Sequence, residues 1–428
     1  MSFPQLNRFL LVKLRTLKAR ATKLSKLTPA LVGLRKQDMR YAPSKTHFDG
    51  ANERLARIHK AIRQRLQILQ QQASGRKPQR TLLYAALVER EIDRARRTFD
   101  LFFDVFSQRG SAFAPALAAH DVIARDCYNA IRQAAPTQFR GALVKPLTYL
   151  EHGYSPATMR RGVALSRLMG ERNPFPLIRI PWDRDNPWQA VFLHEVSHNL
   201  QADLGLWKEN KKAVTDRMIR AGDEPVVIST YARWQKEIFA DLCAILLGGP
   251  ASVWGMMDFL AHPHPKVMTY KPRGTHPTGY LRVFIQAEML HRMGFDDVAG
   301  RVKRIWKKLY QPARGHRIPG PLLHSSSHVI PQVVDEIVYQ PRRSLGQRAL
   351  ADIVPFSRDD EKLIRETTRY LLRGSVPQGV PPRFLVSASR HALAEGASPP
   401  ILSKLVIEHL ASLLEQDAEL PQLFRIAA

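Results

Sequence analysis

The 428-residue chain is 44% hydrophobic and 24% charged, a globular balance that excludes wholesale disorder and provides for one large core or two to three domains of usual size. Its formal charge of +27 attracts phosphates, anionic lipids or acidic proteins, but the surplus is uneven: residues 1–80 hold 19 Lys and Arg against 3 Asp and Glu, whereas residues 181–250 hold 10 acids against 8 bases. Uncharged stretches fall short of the ~20 residues that a bilayer span needs; the nearest, Leu242 to Met257, is broken by Gly248, Gly249 and Pro250, so no transmembrane segment is expected.

From Leu6 to Leu31, Leu10, Leu14, Leu17, Ala21, Leu24, Leu27 and Leu31 fall on one helical stripe, with Lys13, Arg15, Lys18, Arg20, Lys23 and Lys26 around the rest of the barrel. This basic amphipathic helix suits an anionic membrane surface or a nucleic acid, while the plainer expectation is that its stripe packs on the parent protein. The same start lacks the continuous apolar run and cleavage site of a signal peptide, which makes the cytoplasm the expected location, with peripheral attachment to membrane or nucleic acid through the basic residues. A second helix is expected over Asn52 to Gln72, a linker at Ser74 to Pro78, and a third helix from Thr81 to Ser107. Residues 115–170 read as mostly helical with breaks at Pro136, Pro146 and Pro156. Cys127 and Cys243 lie far apart in apolar patterns and read as buried free thiols.

Near Phe175 the texture changes. Leu177-Ile178-Arg179-Ile180 is a β-rich run bounded by Pro176 and Pro181, which suits an edge strand because proline cannot donate to a ladder. A polar loop follows, with Asn186 and Pro187 as cap and first residue of a helix running to about Asp203, and Gly205 marking its end. Further helices are expected at Ser229–Leu247, 251–261 and 277–293. Loops follow Tyr310, and the C-terminal third returns to helix, one announced by Ser357 with Asp360 in capping-box position. The chain thus divides into a basic helical arm (1–80), a helical region (81–174), a core (175–310) and a loop-rich and helical remainder (311–428). The fold class is mainly α with a small β-sheet, α+β.

His194-Glu195-Val196-Ser197-His198 is the most informative stretch. Two histidines four apart on a helix lie one turn above each other and can offer both imidazoles to one zinc ion. Glu195 sits about 100° around the helix from His194, outside the coordination shell yet close enough to take a proton from a water at the metal. Catalytic zinc takes three protein ligands and keeps one position open. A metzincin-type continuation fails, since Gln201 and Leu204 stand where Gly and His or Asp are needed. Glu237, in Glu237-Ile238-Phe239-Ala240-Asp241, is the best third ligand, with Asp203, Glu209 or a downstream histidine as alternatives. Asp241, one turn after Glu237, can accept the free ring N–H of His194 or His198. His262 and His264 sit in a Pro-rich loop and are weaker ligand candidates, and His291, His324 and His328 are weaker still. Tyr231 and Tyr280 are minor candidates for hydrogen bonding to an oxyanion.

These three elements in order, His-Glu-x-x-His, Glu-x-x-x-Asp, and Thr275-His276-Pro277 with Arg282 a few residues on, resemble the gluzincin metallopeptidases, within them the clan of CaaX prenyl proteases and heat-shock endopeptidases. The likeness covers residues 175–295 and comes without the membrane helices of much of that clan. It implies a zincin-like core flanked by N- and C-terminal helical regions, and one catalytic Zn2+ on His194, His198 and Glu237. By the same resemblance Glu195 is the general base, and His276 and Arg282 position or stabilise the oxyanion or the active-site carboxylates. Leu177, Ile178, Arg179 and Ile180 match the edge strand on which zincins lay an extended peptide. The expected function is therefore a zinc metallopeptidase acting on a peptide or protein substrate. The competing expectation is a basic protein bound to nucleic acid or an anionic membrane through residues 1–80, with a structural or vestigial zinc site.

Overall fold

The computed structural model describes residues 3–72, 77–139, 145–151, 157–159, 173–182, 185–310 and 317–418. Ser74 to Arg76 of the expected linker, Pro156, Asp183 and Arg184 of the expected loop, and 161–170 of the expected helical stretch lie outside them. The protein is mainly α with one small sheet, as its sequence patterns require. The chain separates into two compact units, Met1–Ala114 with Arg161–Phe175 and Pro115–Arg160 with Pro176–Ala428.

The first unit holds α1 (Phe3–Lys23), α2 (Lys45–Gln72) and α3 (Pro78–Ser107). Leu14, Leu17 and Ala21 of α1 pack with Ile58, Ile62, Leu66 and Leu69 of α2 and with Ala85, Val88, Ile92 and Ala95 of α3. The apolar stripe is thus satisfied inside the unit, and burying a leucine such as Leu17 stabilises it by roughly 1.5–3 kcal/mol. The helix stops at Lys23 rather than at Leu31 because Pro29 disfavours helical backbone at the residue before it and cannot sit in a helix interior. Leu27 stays buried beyond the helix, its N–H donating to Asn52 Oδ1 (2.7 Å) and its carbonyl accepting from Asn52 Nδ2 (2.9 Å).

The second unit begins with α4 (Ala114–Ala134) and then β1 (Leu147–Glu151), β2 (Ala157–Met159) and β3 (Leu177–Pro181). Of the helical expectation for 115–170, α4 stands and the described residues 147–151 and 157–159 are strands instead, while 140–144, 152–156 and 160–170 lie outside the described residues. Leu147 to Leu150, a short aromatic and β-branched run closed off by Pro146, is too brief for a helix and instead pairs in parallel with β3. The strand order is β1-β3-β2, with β2 antiparallel to β3. β3 is consequently the central strand and not an edge: its prolines stand just before and at the end of the paired run. Leu177, Ile178, Arg179 and Ile180 pair with β1 along their length, Leu177 to Arg179 also pair with β2, and Leu177, Ile178 and Ile180 are fully buried. The expectation that they bind substrate is therefore withdrawn, since a central strand has no free edge to offer. β1 is tied to α4 by Thr148, whose N–H donates to Asp121 Oδ1 and whose hydroxyl donates to the Leu117 carbonyl.

The remaining helices are α5 (Val191–Asp203), α6 (Leu206–Arg220), α7 (Pro225–Gly248), α8 (Pro250–Leu260), α9 (His264–Val267), α10 (Gly279–Arg292) and α11 (Asp296–Leu309). After them come α12 (Gly320–His324), α13 (Ser326–Val338), α14 (Leu350–Ile353), α15 (Arg358–Leu372), α16 (Pro382–Ala394) and α17 (Pro399–Ala418). Ser357 caps α15 as expected, its hydroxyl accepting from the Asp360 N–H and the Asp360 carboxylate accepting from the Ser357 N–H. No helix among the described residues is long and apolar enough to cross a membrane.

Candidate metal centre

Three helices of the second unit converge on the His-Glu-x-x-His segment. α5 carries it and is buried nearly all round, polar residues included, with Val191, Phe192, Leu193, Val196 and Leu200 supplying its apolar contacts, so packing rather than intrinsic propensity holds it. It starts at Val191, not at Pro187: the Gln189 N–H bonds back to the Asn186 carbonyl, which makes Asn186 to Gln189 a turn before the helix. Gly205, at φ 72°, ends it in the left-handed conformation that glycine adopts without strain. Gly255 of α8 lies against Ala190 at the head of α5, where an added Cβ would stand 2.5 Å from the Ala190 Cβ. The sequence pattern of α8 alone did not mark Gly255 as a positioning residue.

α7 opens on Pro225 and is buried along most of its length, which brings Glu237 and Asp241 beside α5. Ligand atoms of His194, His198 and Glu237 lie within 4.8 Å of one another. Glu237 Oε2 is 3.4 Å from His194 Nε2 and 3.3 Å from His198 Nε2. Ligands at ~2.0–2.1 Å from a tetrahedral zinc stand about 3.4 Å apart, so both separations fit two edges of such a polyhedron. Glu237 Oε2 is also buried, and among the described residues the groups that reach it are imidazole nitrogens at 3.3–3.4 Å, all of which are metal-ligating atoms. The donor set and its spacing therefore fit a metal ion. The other carboxylate candidates are engaged elsewhere: Asp203 accepts from the Tyr128 hydroxyl (2.8 Å), and Glu209 caps the Arg343 and Ser344 N–H groups.

Asp241 stands behind the centre as expected for an orienting carboxylate. Its Oδ1 is 2.7 Å from His194 Nδ1, and Arg282 of α10 grips both its oxygens at 2.6 and 2.7 Å. Burial pushes the Asp241 carboxyl up, but Arg282 and His194 outweigh it and hold the carboxyl at about 2. For His194, burial pulls the imidazole down while Asp241 and Glu237 raise it further, to about 9. Glu237 is held well below the usual carboxylate range: burial opposes ionisation and His194 and His198 overcome it. Arg282 is itself buried, and Asp241 more than offsets the desolvation of its guanidinium.

Glu195 is buried on α5 next to His194. His276 stands before α10, whose first turn is fixed by Thr278 accepting from the Leu281 N–H. Its Nε2 is 3.3 Å from Glu237 Oε2 although its side chain is 66% exposed, so it sits where the buried carboxylate meets solvent. Desolvation draws its imidazole below the usual value, and Arg282 adds to this against Glu237. His262 faces Lys266 (3.0 Å), His291 pairs with Asp296, and His328 pairs with Asp223 (2.8 Å). Tyr231 is buried, and among the described residues its hydroxyl has no hydrogen-bond partner. Tyr280 lines a cleft of about 530 Å³ with Phe284, Lys303 and Lys307, whose walls include none of the metal-centre residues. Both cysteines are buried free thiols; burial pushes Cys243 up to about 12.

Comparison with known proteins finds no family model, no curated protein and no solved structure that matches the chain.

Proposed function

We propose that the chain is a zinc-dependent peptidase of gluzincin type. The observation that carries the reading is the buried convergence of His194, His198 and Glu237, with Asp241 holding the far nitrogen of His194. His194, His198 and Glu237 would hold a zinc ion, which when bound would supply an acidified water and polarise a carbonyl. Asp241, on the far nitrogen of His194, would favour the tautomer that turns Nε2 toward the ion. Glu195 takes the proton of the attacking water and passes it to the leaving amine. Arg282 keeps Asp241 ionised. His276, at the solvent side of Glu237, donates to the oxygen on which charge develops. An extended substrate adds to the outer edge of β2, the outer strand that packs against α5.

The test is peptide cleavage by the wild-type chain and by Glu195→Gln. The expected result is loss of cleavage with metal retained; full activity in the variant would remove Glu195 from its role. His276 approaches Glu237 but does not join the three-residue donor cluster, so His276→Ala is expected to keep zinc while losing cleavage.

A further inference from the structure

The inner face of α1 is spoken for, but its outer face is not ordinary. Leu10, Leu14, Leu17 and Ala21 are buried. At 100° per residue, the opposite half of the helix presents Arg8, Phe9, Val12, Arg15 and Lys23 among small and polar residues, with Leu11 and Arg20 at its margins and Lys18 just beyond the Leu11 side. Phe9 is 58% exposed, Leu11 53% and Val12 54%. Three large apolar side chains on the solvent side of one helical segment are a cost unless something covers them. The same helix carries Arg8, Lys13, Arg15, Lys18, Arg20 and Lys23 and no acidic residue. Lys13 is paired with Glu89, while Arg15, Lys18, Arg20 and Lys23 are exposed and, among the described residues, have no acidic partner.

Exposed apolar side chains interleaved with cations on the outer half of a helix too charged to span suit an interfacial helix, whose apolar side chains enter below the headgroup plane while its long basic ones snorkel up to anionic headgroups. Nucleic acid accounts for the charge but gives Leu11 and Val12 nothing to do, since its backbone is polar and its stacking platforms are aromatic. We infer that the outer face of α1 docks on an anionic lipid bilayer, with Phe9, Leu11 and Val12 entering the acyl boundary and Arg8, Arg15, Lys18 and Lys23 meeting the headgroups. The inner stripe stays packed on α2 and α3, so docking requires no unfolding of the unit. The inference is independent of the metal centre.

The test is flotation of the full chain with vesicles of mixed phosphatidylserine and phosphatidylcholine, beside vesicles of phosphatidylcholine alone. Wild type is expected to float with the mixed vesicles only. The variants Phe9→Ser/Leu11→Ser/Val12→Ser and Arg15→Glu/Lys18→Glu should each lower the bound fraction about tenfold or more, whereas Lys308→Glu, an equally exposed cation on α11, should not. All substituted positions are exposed, and an unchanged far-UV spectrum checks folding. Val12→Trp adds a direct readout, a blue-shifted emission on addition of the mixed vesicles. Undiminished flotation of the apolar triple variant, or unshifted emission from Trp at position 12, would overturn the proposal. So would binding that follows duplex DNA and not vesicles.

Discussion

Asp241→Asn removes one charge and almost no volume from a buried acid that Arg282 and His194 both contact. The carboxylate receives two bonds from Arg282 and one from His194, all at 2.6–2.7 Å and all buried. Its carboxyl is held at about 2 against an ordinary 3.8, which at ~1.4 kcal/mol per pH unit corresponds to about 2 kcal/mol favouring the charged form in the folded state. Because the folded value is depressed, this contribution is complete above the unfolded value and is lost as pH falls through about 2. Asparagine also strands the buried Arg282 guanidinium, and breaking a buried pair from one side costs about 3–5 kcal/mol. The expected loss of stability is therefore about 2–5 kcal/mol, together with a 10- to 100-fold loss of zinc affinity from the misoriented His194. All six tryptophans lie in the second unit, so denaturant unfolding followed by their emission reads this unit alone. Asp241→Asn/Arg282→Met should recover part of the stability but not the zinc affinity. A single-variant loss below ~1 kcal/mol with unchanged zinc affinity would refute the reasoning.

Other outcomes follow from the same geometry. His194 sits at about 9, so at neutral pH zinc must displace a proton from it; calorimetry in buffers of different ionisation enthalpy should show about one proton released, with affinity rising as pH approaches that value. Since this value is raised, the stability it gives the metal-free protein is complete below the ordinary histidine value of 6.5 and fades as pH rises through about 9. Gly255→Val drives a branched side chain into Ala190 at the head of α5 and should cost about 1–3 kcal/mol of the tryptophan-monitored stability. Leu17→Ala opens a cavity between α1, α2 and α3 and should cost about 2–5 kcal/mol, read as faster amide exchange along α1; unchanged exchange would mean that α1 does not pack there.

The His194, His198 and Glu237 cluster was legible in the sequence because its constraints are local. The four-residue spacings of His194 with His198 and of Glu237 with Asp241 each fix one helix face, and proximity follows once the apolar residues around them bury both helices. The strand between Pro176 and Pro181 was legible as a strand but not in its place. Proline limits where a ladder bond forms, not how many neighbours a strand has, and here the prolines fall just before and at the end of the pairing. β1 and β2 have no legible signature in the sequence because runs of five and three residues carry too little periodicity to be told from helix. The apolar period that ran on to Leu31 misled for the opposite reason: Leu27 is buried through Asn52, a contact 25 residues away that no local pattern encodes. The close approach of Gly255 to Ala190 is likewise a tertiary fact without a periodic signature.

The most direct test of the account is elemental analysis of the purified full chain beside Glu237→Ala and His198→Ala. The prediction is about one equivalent of zinc in the wild type and its loss from both variants, with tryptophan emission still that of a folded protein. Wild-type protein that takes up no zinc after dialysis against it, or variants that keep the full equivalent, would contradict a site built from His194, His198 and Glu237.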